Sequence, residues 1–292
     1  SAQRDYDGSP MVTDLMSTKD LKRFATELGK IGRGFIQCTG PAPGLSEKMA
    51  MESGRPVIWN LVCAGVDQHG TPVAGHEEIL GWLSRANREK GLRIIGQALT
   101  IDVAFKFTFE HWNLFDSSPL WREVTLGTIA ERKVRMSDPE WRRKLKEEFD
   151  DGKGPTLGGG TEADATPGAG DGIPTMKVME AKKNSLKKYD GMTMDEIAKD
   201  QNKHVIDALL DFVIEDDLQT DFESTPKPTP MKSLNEIASH PFTIPGLSDG
   251  GAHAKFNPGN FFTTSFLIDI VRENKFMELE EAHWKLSKFP AM

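Results

Sequence analysis

Ile244-Pro245-Gly246-Leu247-Ser248-Asp249-Gly250-Gly251-Ala252-His253-Ala254-Lys255-Phe256 is the stretch on which the reading of this chain turns. Phe242, Ile244 and Leu247 form a short apolar run that stops at Ser248-Asp249 and two glycines. The pattern predicts a buried strand from Phe242 to Ser248, with a sharp turn at its C-terminal end and the Asp249 carboxylate at the lip. Gly250 and Gly251 admit backbone conformations closed to other residues and let a ligand come close. His253 and Lys255 follow within one loop's reach. In a parallel α/β sheet or barrel, chemistry gathers at this lip. A plain turn, with Asp249 capping the next helix and His253 on the surface, fits the same spacing.

Upstream, the chain alternates helix and strand with short glycine breaks. Ser17 or Thr18 caps a helix running to about Lys30, with Leu21, Phe24, Ala25 and Leu28 on one face. Strands follow at Gly34–Cys38, Pro56–Val62 and Arg93–Leu99, separated by helices at Glu47–Glu52 and His76–Lys90. This rhythm predicts βα units and parallel pairing. It breaks near residue 102, where Phe105, Phe107, Phe109, Trp112, Phe115 and Trp121 crowd together as core, or as a substrate wall. Asp138-Pro139 opens a charged helix to about Phe149. Residues 151–172 hold eight glycines, with neither the Lys-Ser/Thr nor the βα context of a phosphate loop, and read as a flexible insertion. Thr193-Met-Asp-Glu196 is a capping box, His204–Glu215 continues helically, Leu218–Phe222 reads as a strand, and Met231–Ser239 as a short helix.

Of the 292 residues, 27% are charged and 38% hydrophobic, and the net charge is −8. A nucleic-acid footprint would show as a basic stripe, and there is none. No apolar run has the length of a membrane span, and no signal peptide opens the chain, so a cytoplasmic setting is expected. Cys38 and Cys63 lack paired-motif spacing and read as buried thiols.

The run Gly246-Leu-Ser-Asp-Gly-Gly-Ala-His253 resembles the last-strand motif of the amidohydrolase superfamily. More narrowly, it is similar to the branch of N-acyl-D-amino-acid deacylases (D-aminoacylases). Ile270-Val-Arg-Glu273, Leu279-Glu-Glu-Ala-His-Trp-Lys-Leu-Ser287 and Pro290-Ala291 agree downstream, as do Arg4-Asp-Tyr-Asp-Gly8 and Gly191-Met-Thr-Met-Asp-Glu-Ile-Ala198 upstream. The resemblance implies an α/β fold, the C-terminal half of a metal-dependent (β/α)8 TIM barrel with an irregular insertion. Residues 1–104 would be βα units of the barrel. Residues 105–190 would be the insertion, and 191–292 the closing segment with the catalytic loop. Both ends read as cut from a longer protein, the fragment itself inactive and with its sheet edge open.

The resemblance further implies one or two divalent metals, zinc first, that lower the pKa of a bound water toward ~7. A carboxylate at the end of the last strand takes that water's proton and hands it to the leaving nitrogen. Asp249 stands in that place, and also as a metal ligand. Ser248, Gly250, Gly251, His253 and Lys255 become substrate-binding or hydrogen-bonding neighbours. Lys255 would face a substrate carboxylate or else be solvated, and Arg33 is open in the same way. The family's first-strand His-x-His has no counterpart and would precede Ser1. The strands at Gln37-Cys38 and Trp59-Asn60, expected to end in histidines, carry none. Cys38 would be a ligand only as a thiolate, and Asn60 suits zinc poorly. His69, His76, His111, His204, His240 and His283 fall away from the lip. The expected activity is deacylation of a small N-acyl (D-)amino acid. A catalytically inactive binding or scaffold homologue and a cyclic-amide hydrolase share the fold. Neither a nucleic-acid nor a membrane partner is expected, and oligomerisation is open.

Overall fold

The computed structural model of the chain describes residues 9–10, 12–66, 72–73, 75–101, 104–111, 115, 118–124, 126–152, 172–224, 229–246, 256–257 and 262–292. The chain forms two compact units. One comprises residues 15–103, 227–252 and 258–292, the other residues 1–14, 104–226 and 253–257.

In the first unit, helix α1 (Thr18–Ile31) starts where the Ser17 side chain accepts the Asp20 N–H. It ends at Gly32, whose φ of +71° suits the left-handed cap. Ala25 is its buried centre. Phe24, expected on the same face, is 66% exposed because it falls at the edge of the Leu21-Ala25-Leu28 stripe. Strand β1 (Ile36–Thr39), helix α2 (Pro43–Ser53), strand β2 (Val57–Val62), helix α3 (His76–Arg88) and strand β3 (Ile94–Ala98) follow. β1 pairs with β2 and β2 with β3, all parallel. Burial alternates along β3 and along β2 as far as a register shift between Asn60 and Val62, with Val57, Trp59, Val62, Ile94 and Ala98 in one core with residues of α2 and α3. Trp59 meets Trp82 edge to face at 5.8 Å and donates to the Pro41 carbonyl at 2.9 Å. The other sheet face is half-buried. Cys38 is half-buried and Cys63 exposed, both free. Cys63 is therefore not the buried thiol expected, since β2 ends at Val62 and the chain leaves the sheet there.

The second unit is built on an antiparallel sheet. Strand β4 (Ala104–Phe107) pairs with Phe256–Asn257 on one side. On its other side lies the later strand at Asp221–Glu223, which in turn pairs with β5 (Lys177–Glu180). Between β4 and β5 runs helix α4 (Pro139–Asp150), capped by Asp138 as expected. After β5 comes the capping box of Thr193 and Glu196, with both hydrogen bonds formed. Helix α5 (Val205–Glu215) starts one residue later than expected because the His204 Nδ1 caps it by accepting the Ile206 N–H. Strand β6 is only Asp221–Glu223, shorter than the Leu218–Phe222 expected, because Asp217 and Leu218 turn through positive φ. Phe107, Phe109, Phe115, Trp121 and Phe222 are buried together, so this aromatic cluster is core. The buried Asp216 carboxylate accepts the Lys182 and Lys183 N–H groups and the Thr220 hydroxyl, tying the β5 end to the α5 end. Most of the glycine-rich insertion, residues 153–171, lies outside the described residues, and with it the expectation of flexibility.

The chain then returns to the first unit. Helix α6 (Met231–Ser239) leads into strand β7 (Thr243–Pro245), which pairs in parallel with β3. The sheet order is β1-β2-β3-β7. β7 is shorter than the Phe242–Ser248 strand expected, with Leu247 and Ser248 outside the described residues. The C-terminal helical turns end with Phe289–Met292 near the N-terminal ends of the strands, where Arg93 donates to the Met292 carbonyl at 2.8 Å. A cavity of about 550 Å³ opens there, lined by Phe35, Ile58, Ile95, Phe242, Ile244 and Met292 among others. No helix among the described residues is long and apolar enough to cross a membrane.

Candidate active site

β7 is fixed at its lower end by polar groups held out of water. The Thr243 hydroxyl donates to the Ile237 carbonyl at 2.6 Å. Lys285 is 1% exposed, and its ammonium donates to the carbonyls of His240 at 2.6 Å and Thr243 at 3.2 Å. Burial pulls its pKa down to about 8. The strand that carries the Gly246–Lys255 stretch is thus anchored from beneath.

At the upper end, Gly246 donates its N–H to the Ala98 carbonyl at 3.3 Å. Its own carbonyl accepts from Gln97 Nε2 at 2.5 Å, while Gln97 Oε1 accepts from Gln37 Nε2 at 2.9 Å. A Cβ on residue 246 would come within 3.2 Å of that Gln97 nitrogen, so glycine suits the close approach. Asn60 pairs in register with Gln97, and its Oδ1 is buried without a partner. Thr100, just past β3, is 1% exposed and its hydroxyl too has no partner. Gln37, Asn60 and Gln97 therefore place in the sheet neutral groups that donate and accept hydrogen bonds. Gln37 and Gln97 did not stand out in the sequence. Their signal is a long polar side chain inside an otherwise apolar strand.

Ser248, Asp249, Gly250, Gly251, His253 and Lys255 all lie outside the described residues. The structure describes their approach, Pro245-Gly246 at the C-terminal edge of a parallel sheet. The metal implied by the sequence resemblance finds no fit in the described strand ends. Thr39, Asn60, Thr100 and Gly246 offer neither imidazole nor carboxylate, and neutral amide oxygens suit harder ions than zinc. Cys38 is not a thiolate candidate, because burial raises its pKa. Among the described residues, the one grouping of three potential metal donors is His76, Glu77 and Glu236, on α3 and α6.

A D-aminoacylase variant with copper chloride is similar to this chain at a TM-score of 0.50 and 13% identity, over 94% of this chain and 45% of that one. A D-aminoacylase described as defining a novel subset of amidohydrolases matches at a TM-score of 0.49 and 14% identity, over the same shares. N-acyl-D-glutamate deacylase from Bordetella bronchiseptica, with zinc and a phosphonate inhibitor, matches at 0.49 and 12%, over 99% of this chain and 54% of that one. The chain spans about half the length of these solved structures. No protein-family profile and no curated protein sequence matches it.

Proposed function

We propose that this chain belongs to a hydrolase that cleaves a carbon–nitrogen amide bond, with an N-acyl-D-amino acid as the substrate class. The observation carrying this reading is that Gly246 sits at the C-terminal edge of the parallel sheet, three residues before Asp249. That edge is where α/β enzymes place their reacting groups. In this reading the fold is the C-terminal half of a (β/α)8 barrel. Its βα units come from residues 15–103 and from the segment that returns after residue 227, and the insertion expected at 105–190 runs on to 226.

Asp249 takes a proton from the attacking water and returns it to the departing nitrogen, because an amine anion is too basic to leave unprotonated. Gly250 and Gly251 leave room for the acyl group, Ser248 and His253 supply hydrogen bonds, and Lys255 meets the substrate carboxylate. A divalent ion, zinc first, belongs to this reading with ligands outside the described residues. A cytoplasmic protein free to form oligomers is consistent with it. One observation favours a second reading, a binding homologue without catalysis: the described strand ends, Thr39, Asn60, Thr100 and Gly246, carry no imidazole or carboxylate.

The test is turnover of a panel of N-acyl-D-amino acids by the full-length protein. Asp249→Asn should cut kcat/KM by about 10²-fold or more while keeping the fold. Lys255→Ala should chiefly raise KM. Near wild-type turnover in Asp249→Asn sinks the proton-shuttle role. Saturable binding of the panel without turnover selects the second reading.

A further inference from the structure

Helices α3 and α6 pack side by side in the first unit, and three donor side chains meet between them. His76 opens α3 and is 6% exposed. Its Nε2 lies 2.8 Å from Glu236 Oε2, on α6. Glu77, next along α3 and exposed, brings a carboxylate oxygen into the same space, so that one donor atom from each residue lies within 4.8 Å of the others. Metal–ligand bonds of about 2.1 Å set neighbouring donors about 3.0 to 3.4 Å apart. The group therefore needs only a small inward movement of the exposed Glu77 side chain.

Charge and protonation fit the same conclusion. Two carboxylates outweigh the Lys232 ammonium, 3.7 Å from Glu236. Glu78 adds another acidic side chain in the first turn of α3, although the helix N-terminus itself disfavours a cation. His76 Nδ1 is buried and has no partner. The proton shared with Glu236 therefore sits on Nε2, and a cation at Nε2 takes its place. That exchange moves the remaining imidazole proton to Nδ1, where nothing accepts it, at a cost of about 1–3 kcal/mol. With three protein donors and this cost, the site binds more weakly than a closed structural zinc site.

We propose that His76, Glu77 and Glu236 form a divalent-cation site, zinc in preference to calcium or magnesium, that clamps α3 to α6. The imidazole sets that preference, because the alkaline-earth ions favour oxygen donors. Water completes the coordination on the exposed side. The site lies on helices α3 and α6, shares no residue with the Gly246 lip, and stands or falls independently of the amide-hydrolase reading.

The experiment is calorimetric titration of the metal-free protein with zinc chloride, with thermal unfolding followed in parallel. Wild type should bind zinc saturably and unfold at a higher temperature when zinc is added, since the ion binds the folded state. Glu77→Gln, at an exposed position, should leave the metal-free unfolding temperature unchanged and weaken binding at this site at least ten-fold. Glu236→Gln should weaken it as much while its remaining carbonyl oxygen still accepts from His76. Asp249→Asn should leave this binding unaltered, which separates it from any ion at the lip. No saturable binding up to 1 mM zinc, a concentration about a thousand-fold above a micromolar Kd, overturns the proposal. So does binding that neither glutamine variant weakens, or binding of calcium as tight as zinc.

Discussion

His240 and Lys285 make the base of β7 sensitive to pH from both directions. His240 Nδ1 accepts the Phe242 N–H at 3.3 Å, so its proton is on Nε2, 2.9 Å from Ser84 Oγ. A second proton has to displace the Phe242 bond. Burial first, and then the nearby Lys285 and Arg88 cations, push its pKa from 6.5 to about 4. The unfolded chain takes up this proton before the folded one does. The stability present above pH 6.5 is therefore lost as pH falls toward 4. Lys285, with a folded pKa of about 8 against 10.5, sheds its proton first in the folded state. Its stability contribution rises from pH 8 to 10.5. Urea unfolding across pH 4–10.5 should show both slopes. His240→Gln should flatten the acid limb, and Lys285→Met should abolish the alkaline limb and shrink the acid one, because the lysine's charge helps hold the histidine's pKa down. An unchanged acid limb in His240→Gln would exclude this histidine as its source.

At the scale of elements, two glycines are expected to respond with opposite signs. A Cβ on Gly96 of β3 would lie 2.6 Å from Val62 Cγ2 and 2.8 Å from Leu83 Cδ1, between the sheet and α3. Gly96→Ala should destabilise by about 1–3 kcal/mol through overpacking. Gly81 in α3 meets only the end of the flexible Arg85 side chain, so Gly81→Ala should stabilise by about 0.5–1 kcal/mol. Chemical denaturation of the two variants measures both, and equal effects would refute the packing argument. Much at this scale was legible beforehand. Ser17, Asp138 and the Thr193–Glu196 box mark helix starts because capping is a local interaction. Leu218 misled because its positive φ belongs to a turn made by the packed unit, not by its neighbours in sequence. The strand leading to the lip was legible, from an apolar run that stops at glycines, although the lip itself lies outside the described residues. Its amide partners were not, since Gln97 and Gly246 are 149 positions apart. His76 and Glu236 are separated by 160, and nothing local links them.

For the whole molecule, the sheet of the first unit raises a question of association. Parallel sheets are ordinarily covered on both faces. Here β1 and β7 are the outer strands, and among the described residues only the face toward α2 and α3 is fully packed. Phe35, just before β1, is 56% exposed, and Ile31 is 62% exposed. The isolated 292-residue chain should therefore self-associate with rising concentration, as open apolar sheet edges do. Phe35→Glu should shift it toward monomer in light scattering coupled to gel filtration. A wild-type chain that stays monomeric at high concentration would refute this.

The interleaving of the two units also orders events on the ribosome. β3 is complete at residue 98, but its neighbour β7 begins at residue 243, a gap of 145 positions. At about 5–20 residues per second, that is roughly 7 to 30 s of synthesis. For that interval β3 lacks its β7 neighbour, with Gln97 waiting for the Gly246 carbonyl that will become its partner. The uninterrupted stretch 104–226 emerges whole in the meantime and can complete its aromatic core first. The unit built on β1, β2 and β3 is thus finished after the stretch 104–226, and a pause in translation between residues 98 and 243 lengthens the exposure of its unpaired β3 edge.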